Sequence, residues 1–263
     1  GWGPAWSKDG KAVYIGEKNR IIIANIDFSD EKSIKIPENS WITFLHLNPS
    51  GDRLLFVEEG EATHIALSTI KIDGSEYKRL YLLDLENEFF LDHPTFIDDS
   101  NILFLARGKN RNFTGDFNKP YIITLEGKLR RLPLECSHYD VNPKKDKILC
   151  GQEGYVIDLE GNIIKEIPEL HGHGVWAPDG ETFLMTGDPV PVPESSQYFG
   201  KIVVLNFNSN KSYNLVSPES TYDSSLTFHI LPNAQFSRDG KHIMYESENG
   251  HLKNSDVYMV SLK

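Results

Sequence analysis

The sequence predicts an all-β fold made of repeated groups of short strands. Three observations lead there. One register recurs six times: a large apolar residue, a short polar turn, then a second apolar run. It reads Trp6-Ser7-Lys8-Asp9-Gly10, Leu47-Asn48-Pro49-Ser50-Gly51, Phe96-Ile97-Asp98-Asp99-Ser100, Val141-Asn142-Pro143-Lys144-Lys145, Trp176-Ala177-Pro178-Asp179-Gly180 and Phe236-Ser237-Arg238-Asp239-Gly240. The anchors lie 41, 49, 45, 35 and 60 residues apart. No segment shows helical periodicity, and turns are dense throughout. A period in the forties with turn chemistry at a fixed offset marks a β-propeller. The expectation is one domain over residues 1–263, with about six four-stranded blades and an incomplete last blade.

The elements follow in order. Ala12 to Ile15 succeeds the Asp9-Gly10 turn, and Asp-Gly between apolar runs is a type I′ hairpin signal. Arg20 to Ile26 and Ser33 to Ile36 complete the first blade, the β-branched Ile21-Ile22-Ile23 favouring a strand. Blade two has Arg53 to Val57, Thr69 to Ile72, an Asp73-Gly74 turn and Lys78 to Leu83. Blade three has Ile102 to Ala106, Tyr121 to Leu125, a Glu126-Gly127 turn and Lys128 to Leu132. Blade four has Lys147 to Cys150, Tyr155 to Leu159 and a Glu160-Gly161 turn. In blade five, Pro189, Pro191 and Pro193 cannot all lie in a ladder, so a long loop precedes Lys201 to Asn206. A second loop, Ser217 to Ser225, precedes blade six, which has His242 to Glu246 and Asp256 to Leu262. The two loops are candidates for one wall of a binding site.

Charge narrows the function. The net charge of -11 opposes general affinity for nucleic acid or anionic membrane, which needs clustered Lys and Arg. Arg107, Lys109 and Arg111 form one local basic cluster in an expected loop. No apolar run approaches the roughly 18 residues of a membrane helix. The expected protein is soluble, either cytoplasmic or exported with a removed leader. Cys136 and Cys150 flank one hairpin turn without being centred on it, so they are expected as unpaired, buried strand cysteines. Asn112-Phe113-Thr114 and Asn210-Lys211-Ser212 match the glycosylation pattern, which is frequent by chance.

One column carries chemistry. Three residues before each anchor stand Gly3, Phe44, His93, His138, His173 and Asn233. Three successive blades thus place histidine at one register, and equal offsets in a strand predict equal orientation. These rings are expected to converge, and neutral imidazoles suit Mn, Fe, Ni or Zn. A histidine there can equally donate to a neighbouring loop carbonyl and do nothing else. His171 pairs with His173 at i, i+2, and His229 lies near the sixth blade. His46, His64, His242 and His251 are off register and read as surface or packing residues. There is no Gly-x-Ser-x-Gly elbow, and nothing marks Cys136 beside His138 as an activated thiol.

The anchor turns resemble the WD40-like repeats of TolB-type propellers. A narrower likeness runs from about His46 to Cys150: Asn48-Pro49-Ser50-Gly51, Leu54-Leu55-Phe56-Val57-Glu58-Glu59-Gly60, Ile72-Asp73-Gly74-Ser75, His93-Pro94-Thr95-Phe96 and Cys136-Ser137-His138-Tyr139. In order and spacing these are similar to oligogalacturonate lyases, propellers that cleave short pectic acids by β-elimination. The resemblance implies a manganese site of three histidines and a glutamine, with His138 as one ligand. It implies His93 as proton acceptor and Arg107 or Arg111 as uronate-binding arginines. The family's paired histidines before the last blade would fall at Leu231 and Asn233, its glutamine has no clear counterpart, and His173 also fits the ligand motif.

The sequence therefore points to a lyase-like, carbohydrate-active propeller. His93 and Arg107 are its catalytic candidates, Arg111 and His171 its substrate-binding candidates, and His138, His173, His229 and Asn233 its metal candidates. The expected cofactor is Mn or another divalent transition metal, and the expected partner an acidic oligosaccharide. The alternative is a non-catalytic TolB-like propeller that binds a protein or glycan through its loops.

Overall fold

The computed structural model describes residues 5–6, 12–15, 19–25, 27–36, 40–60, 64–108, 118–167, 172–187, 201–209, 211–216, 234–248 and 255–262. Among these, every regular element is a strand. They fall into two compact units, Gly1–Glu135 and Cys136–Lys263.

The first unit holds three four-stranded antiparallel sheets, each in chain order. They are β1 (Ala5–Trp6), β2 (Ala12–Ile15), β3 (Arg20–Ala24) and β4 (Lys32–Lys35); then β5 (Ser40–Leu47), β6 (Arg53–Gly60), β7 (His64–Lys71) and β8 (Lys78–Leu82); then β9 (Glu88–Phe96), β10 (Asn101–Gly108), β11 (Asn118–Thr124) and β12 (Leu129–Arg131). The second unit continues with β13 (Tyr139–Val141), β14 (Lys147–Cys150), β15 (Tyr155–Asp158) and β16 (Ile163–Glu166); then β17 (Gly172–Trp176), β18 (Thr182–Gly187), β19 (Ile202–Asn206) and β20 (Ser212–Val216). Its last sheet has three described strands, β21 (Gln235–Phe236), β22 (His242–Glu248) and β23 (Ser255–Ser261). The six sheets are the six expected blades.

The two-residue period of a strand explains how each core is built. On β6, Leu54 and Phe56 pack with Ile21, Ile23 and Ile70, joining the first and second sheets. The alternate residues Leu55 and Val57 pack with Leu91 and Phe104, joining the second and third. On β18, Phe183 and Met185 meet Leu149 and Val156, while Leu184 meets Ile243 and Tyr245. Central strands are thus buried on both faces and read as unbroken apolar runs. Phe56 and Phe104 are fully buried, and truncating either to Ala should cost about 3–5 kcal/mol. Among the buried charges, Glu58 accepts from Ser68 Oγ and the Tyr77 hydroxyl and is paired with Arg79.

The anchor turns share a left-handed residue four positions after the anchor: Gly51, Lys145, Gly180 and Gly240, with φ of 81, 62, 67 and 70°. Each N–H donates to the carbonyl three residues back, on Asn48, Asn142, Ala177 and Ser237. Lys145 alone does this with a side chain that disfavours it. In blade three Asp98 takes over, its carboxylate accepting from the N–H groups of Ser100 and Asn101. The Asp9-Gly10 turn lies outside the described residues. At Asp73-Gly74 only Gly74 has positive φ, so this is a type I turn closed by a left-handed glycine, not the type I′ that Asp-Gly suggests. The loops at Pro189, Pro191 and Pro193 and at Ser217 to Ser225 also lie outside the described residues, as do Lys109, Asn112 and Asn210.

One expectation is overturned: Cys136 and Cys150 form a disulfide, with Cα atoms 4.9 Å apart. The reason is local. Tyr139 pairs with Cys150 across the β13–β14 ladder, and His138, in the left-handed region at φ 48°, turns the preceding chain so that Cys136 returns to that partner.

Candidate functional site

The histidine column sits on irregular backbone. Phe44, His93 and His138 all have positive φ, at 52, 48 and 48°. In blade two the pairing jumps from Thr43–Val57 to His46–Leu55, and in blade three from Asp92–Leu105 to Thr95–Leu103. Each is a bulge whose first residue is left-handed, a costly state for a residue with a side chain. Such bulges re-aim side chains. His173 differs: it pairs regularly with Thr186. The equal-orientation expectation therefore fails at blade five, because equal offsets match only on equal backbone.

In the first unit, His93 is half-buried beside Asp92. Asp92 Oδ1 lies 2.7 Å from His93 Nδ1 and accepts from the His93 N–H at 3.0 Å. The other carboxylate oxygen is paired with Arg107. Burial alone would raise the Asp92 carboxyl, but the hydrogen bond and charge of His93, followed by Arg107, hold it below its ordinary value. The Phe44 ring stands 6.1 Å from the His93 ring. His46, read from sequence as a surface or packing residue, is pushed down to about 4 by burial, with the His93 charge contributing; it is neutral near pH 7.

In the second unit, His138 and His173 are brought together. His138 Nδ1 lies 2.5 Å from His173 Nε2, and the rings are edge to face with centroids 4.0 Å apart. Several contacts hold this pair. Glu153 accepts from both the N–H (2.9 Å) and the hydroxyl (2.5 Å) of Ser137, the residue before His138. The disulfide fixes Cys136. Asp140 Oδ2 accepts from the Trp176 N–H at 2.8 Å, tying β13 to β17. That carboxyl is raised to about 6 by burial, opposed by these backbone hydrogen bonds.

The pair suits a divalent transition ion in donor type, since imidazole nitrogens are borderline ligands. With their nitrogens 2.5 Å apart, the rings would have to open to admit an ion between them. Among the described residues no third His, Cys, Asp or Glu joins them as a metal group. Arg111, His171, His229 and Asn233 lie outside the described residues. The sequence reading missed Asp92, Ser137 and Glu153. Asp92 had a signal, an acid directly before the histidine that opens a blade. Glu153 had none, since its contact depends on the β14–β15 hairpin.

No family model matches the chain, and no curated protein matches it in sequence. Solved structures do match in fold. An oligogalacturonate lyase in complex with manganese superposes with a TM-score of 0.78 at 15% identity, covering 99% of this chain and 76% of that one. The oligogalacturonate lyase of Vibrio parahaemolyticus gives 0.76 at 15% identity, covering 99% and 77%. TolB from Acinetobacter baumannii gives 0.55 at 17% identity, covering 92% and 57%. The chain thus has the fold of TolB-type and oligogalacturonate lyase propellers.

Proposed function

We propose that this propeller is a carbohydrate-active lyase that cleaves uronate oligosaccharides by β-elimination. The observation that carries the reading is the Asp92–His93 contact, which places a buried carboxylate beside a candidate general base. In the proposed step His93 Nε2 takes the C5 proton of the uronate. The C–H electrons form the C4–C5 double bond as the C4–O bond breaks, its pair leaving on the glycosidic oxygen, which takes a proton from water and departs as the hydroxyl of the released sugar. The Asp92 carboxylate beside the ring balances the imidazolium that forms. Arg107 fixes Asp92 and places positive charge beside the base, which matters because the chain as a whole repels an anionic sugar.

His138 and His173 are the residues that would hold a divalent cation, with His229 and Asn233 as further candidate donors. Manganese is the ion carried by one lyase of the same fold. Such an ion would supply charge neutralisation to a carboxylate bound beside it. Arg111 and His171 remain the proposed substrate-binding residues. A second reading, a propeller that binds a protein or glycan without turnover, is favoured by the likeness to TolB, since one scaffold hosts many functions.

Mass analysis of trigalacturonate incubated with the protein and Mn(II) separates the readings. Elimination gives an unsaturated uronate at a new non-reducing end, lighter by one water than the hydrolysis product. Unchanged substrate, together with saturable binding of the same sugar, would establish the second reading instead.

A further inference from the structure

The His138–His173 pair rests on an unusually close backbone approach. Gly151, directly after Cys150, accepts a hydrogen bond through its carbonyl from the Gly172 N–H at 3.1 Å. A Cβ built on Gly151 would collide with the Gly172 carbonyl oxygen, and would also stand 3.0 Å from the Gly174 nitrogen and 3.2 Å from the His138 carbonyl oxygen. All three neighbours are backbone, so nothing there can swing aside. Gly151 therefore sets how near the His138 turn comes to the strand of His173. On the other side of the turn, the Glu153 carboxylate faces the Ser137 N–H and hydroxyl, one oxygen for each, and the hydroxyl also lies 2.9 Å from Gln152 Oε1. Ser137 is almost wholly buried, and the residue after it holds the strained φ of 48°.

We infer that Glu153 is a positioning residue for the imidazole pair, acting through Ser137, and that Gly151 is the spacer that lets the two rings meet. The inference rests on the reading of the pair as a cation site. Its logic is that of an outer-shell carboxylate, which orients a ligand it does not touch. A left-handed His138 relaxes toward ordinary strand geometry once its neighbour is released, and its ring then leaves His173. The Gly174 position offers a control. A Cβ there meets the side chains of Leu149 and Met185, so Gly174→Ala strains the core without pressing on the His138 turn.

The test uses the intact chain labelled with 15N-histidine, metal-free, and reads the coupling across the N–H···N bridge between His138 and His173. Calorimetry then measures Zn(II) and Mn(II) affinity. Glu153→Ala and Gly151→Ala are expected to abolish the coupling and weaken metal binding about 10–100-fold. Glu153→Gln, which keeps one acceptor, should retain part of both, and Gly174→Ala should retain the coupling. Ser137→Ala, which removes one of the two donors, gives the same reading if Glu153→Ala does not fold. Coupling and affinity unchanged in Glu153→Ala, or no coupling in the parent protein, overturn the inference. A parent protein that shows the coupling but takes up neither ion removes the cation reading and leaves the positioning role to be judged on the coupling alone.

Discussion

Reducing the Cys136–Cys150 disulfide should destabilise the protein by about 3 kcal/mol. The bridge closes a loop with a sequence separation of 14. Cross-linking a loop of that length removes about 10 cal/mol/K of entropy from the unfolded chain, which is about 3 kcal/mol at room temperature. Both cysteines are fully buried, so reductant acts when the chain opens, and the samples must be equilibrated through the unfolded state. The assay is urea unfolding followed by tryptophan fluorescence, with and without a phosphine reductant. With a slope near 3 kcal/mol/M, the midpoint should fall by about 1 M. Titration of thiols in the unreduced protein, unfolded in urea, should find none. Two titratable thiols, or a midpoint that moves by less than about a third of this amount, would refute both the covalent pairing and the loop-entropy argument.

Other predictions follow from single groups. Asp140 is raised to about 6, so the native state holds an extra proton between the unfolded value near 4 and pH 6; its contribution to stability falls as pH rises through that window, by up to about 3 kcal/mol. His46 is lowered to about 4, so the unfolded chain binds the extra proton and stability falls as pH drops from about 6.5 to 4. Urea unfolding at pH 4.5 and 7.5 should show opposite slopes in Asp140→Asn and His46→Gln, each variant exposing the other group. Lys145→Gly should stabilise by about 0.5–1 kcal/mol by removing left-handed strain; a loss in thermal unfolding would contradict this. Asp92→Asn should lower kcat about 100-fold or more with little change in KM, because it removes the carboxylate charge that balances the His93 imidazolium while leaving the ring in place.

The blades were legible because turn chemistry and the two-residue period recur at fixed offsets. Leu47-Asn48-Pro49-Ser50-Gly51 and Trp176-Ala177-Pro178-Asp179-Gly180 each form the same closed turn. The continuous runs Leu54 to Val57 and Ile102 to Ala106 were read as strands, and their burial on both faces came only with the structure. The site was legible only in part. His138 and His173 meet, but by different backbone routes, since a left-handed residue ahead of its strand and a regular strand residue share an offset without sharing an orientation. The disulfide was hidden for the same reason, because strand counting assumes extended backbone where His138 is left-handed. Arg107 reaches Asp92 only through a ladder that has slipped at Leu103 and Leu105. A slip of that kind leaves no trace in residue spacing.

The most direct measurement is the ultraviolet absorbance of oligogalacturonate incubated with Mn(II) and either the parent protein or His93→Ala, with metal content determined on both. A steady rise for the parent protein, lost in His93→Ala at equal metal content, is the predicted result. No rise with any uronate oligomer, or equal rises from both proteins, would contradict an imidazole base at position 93.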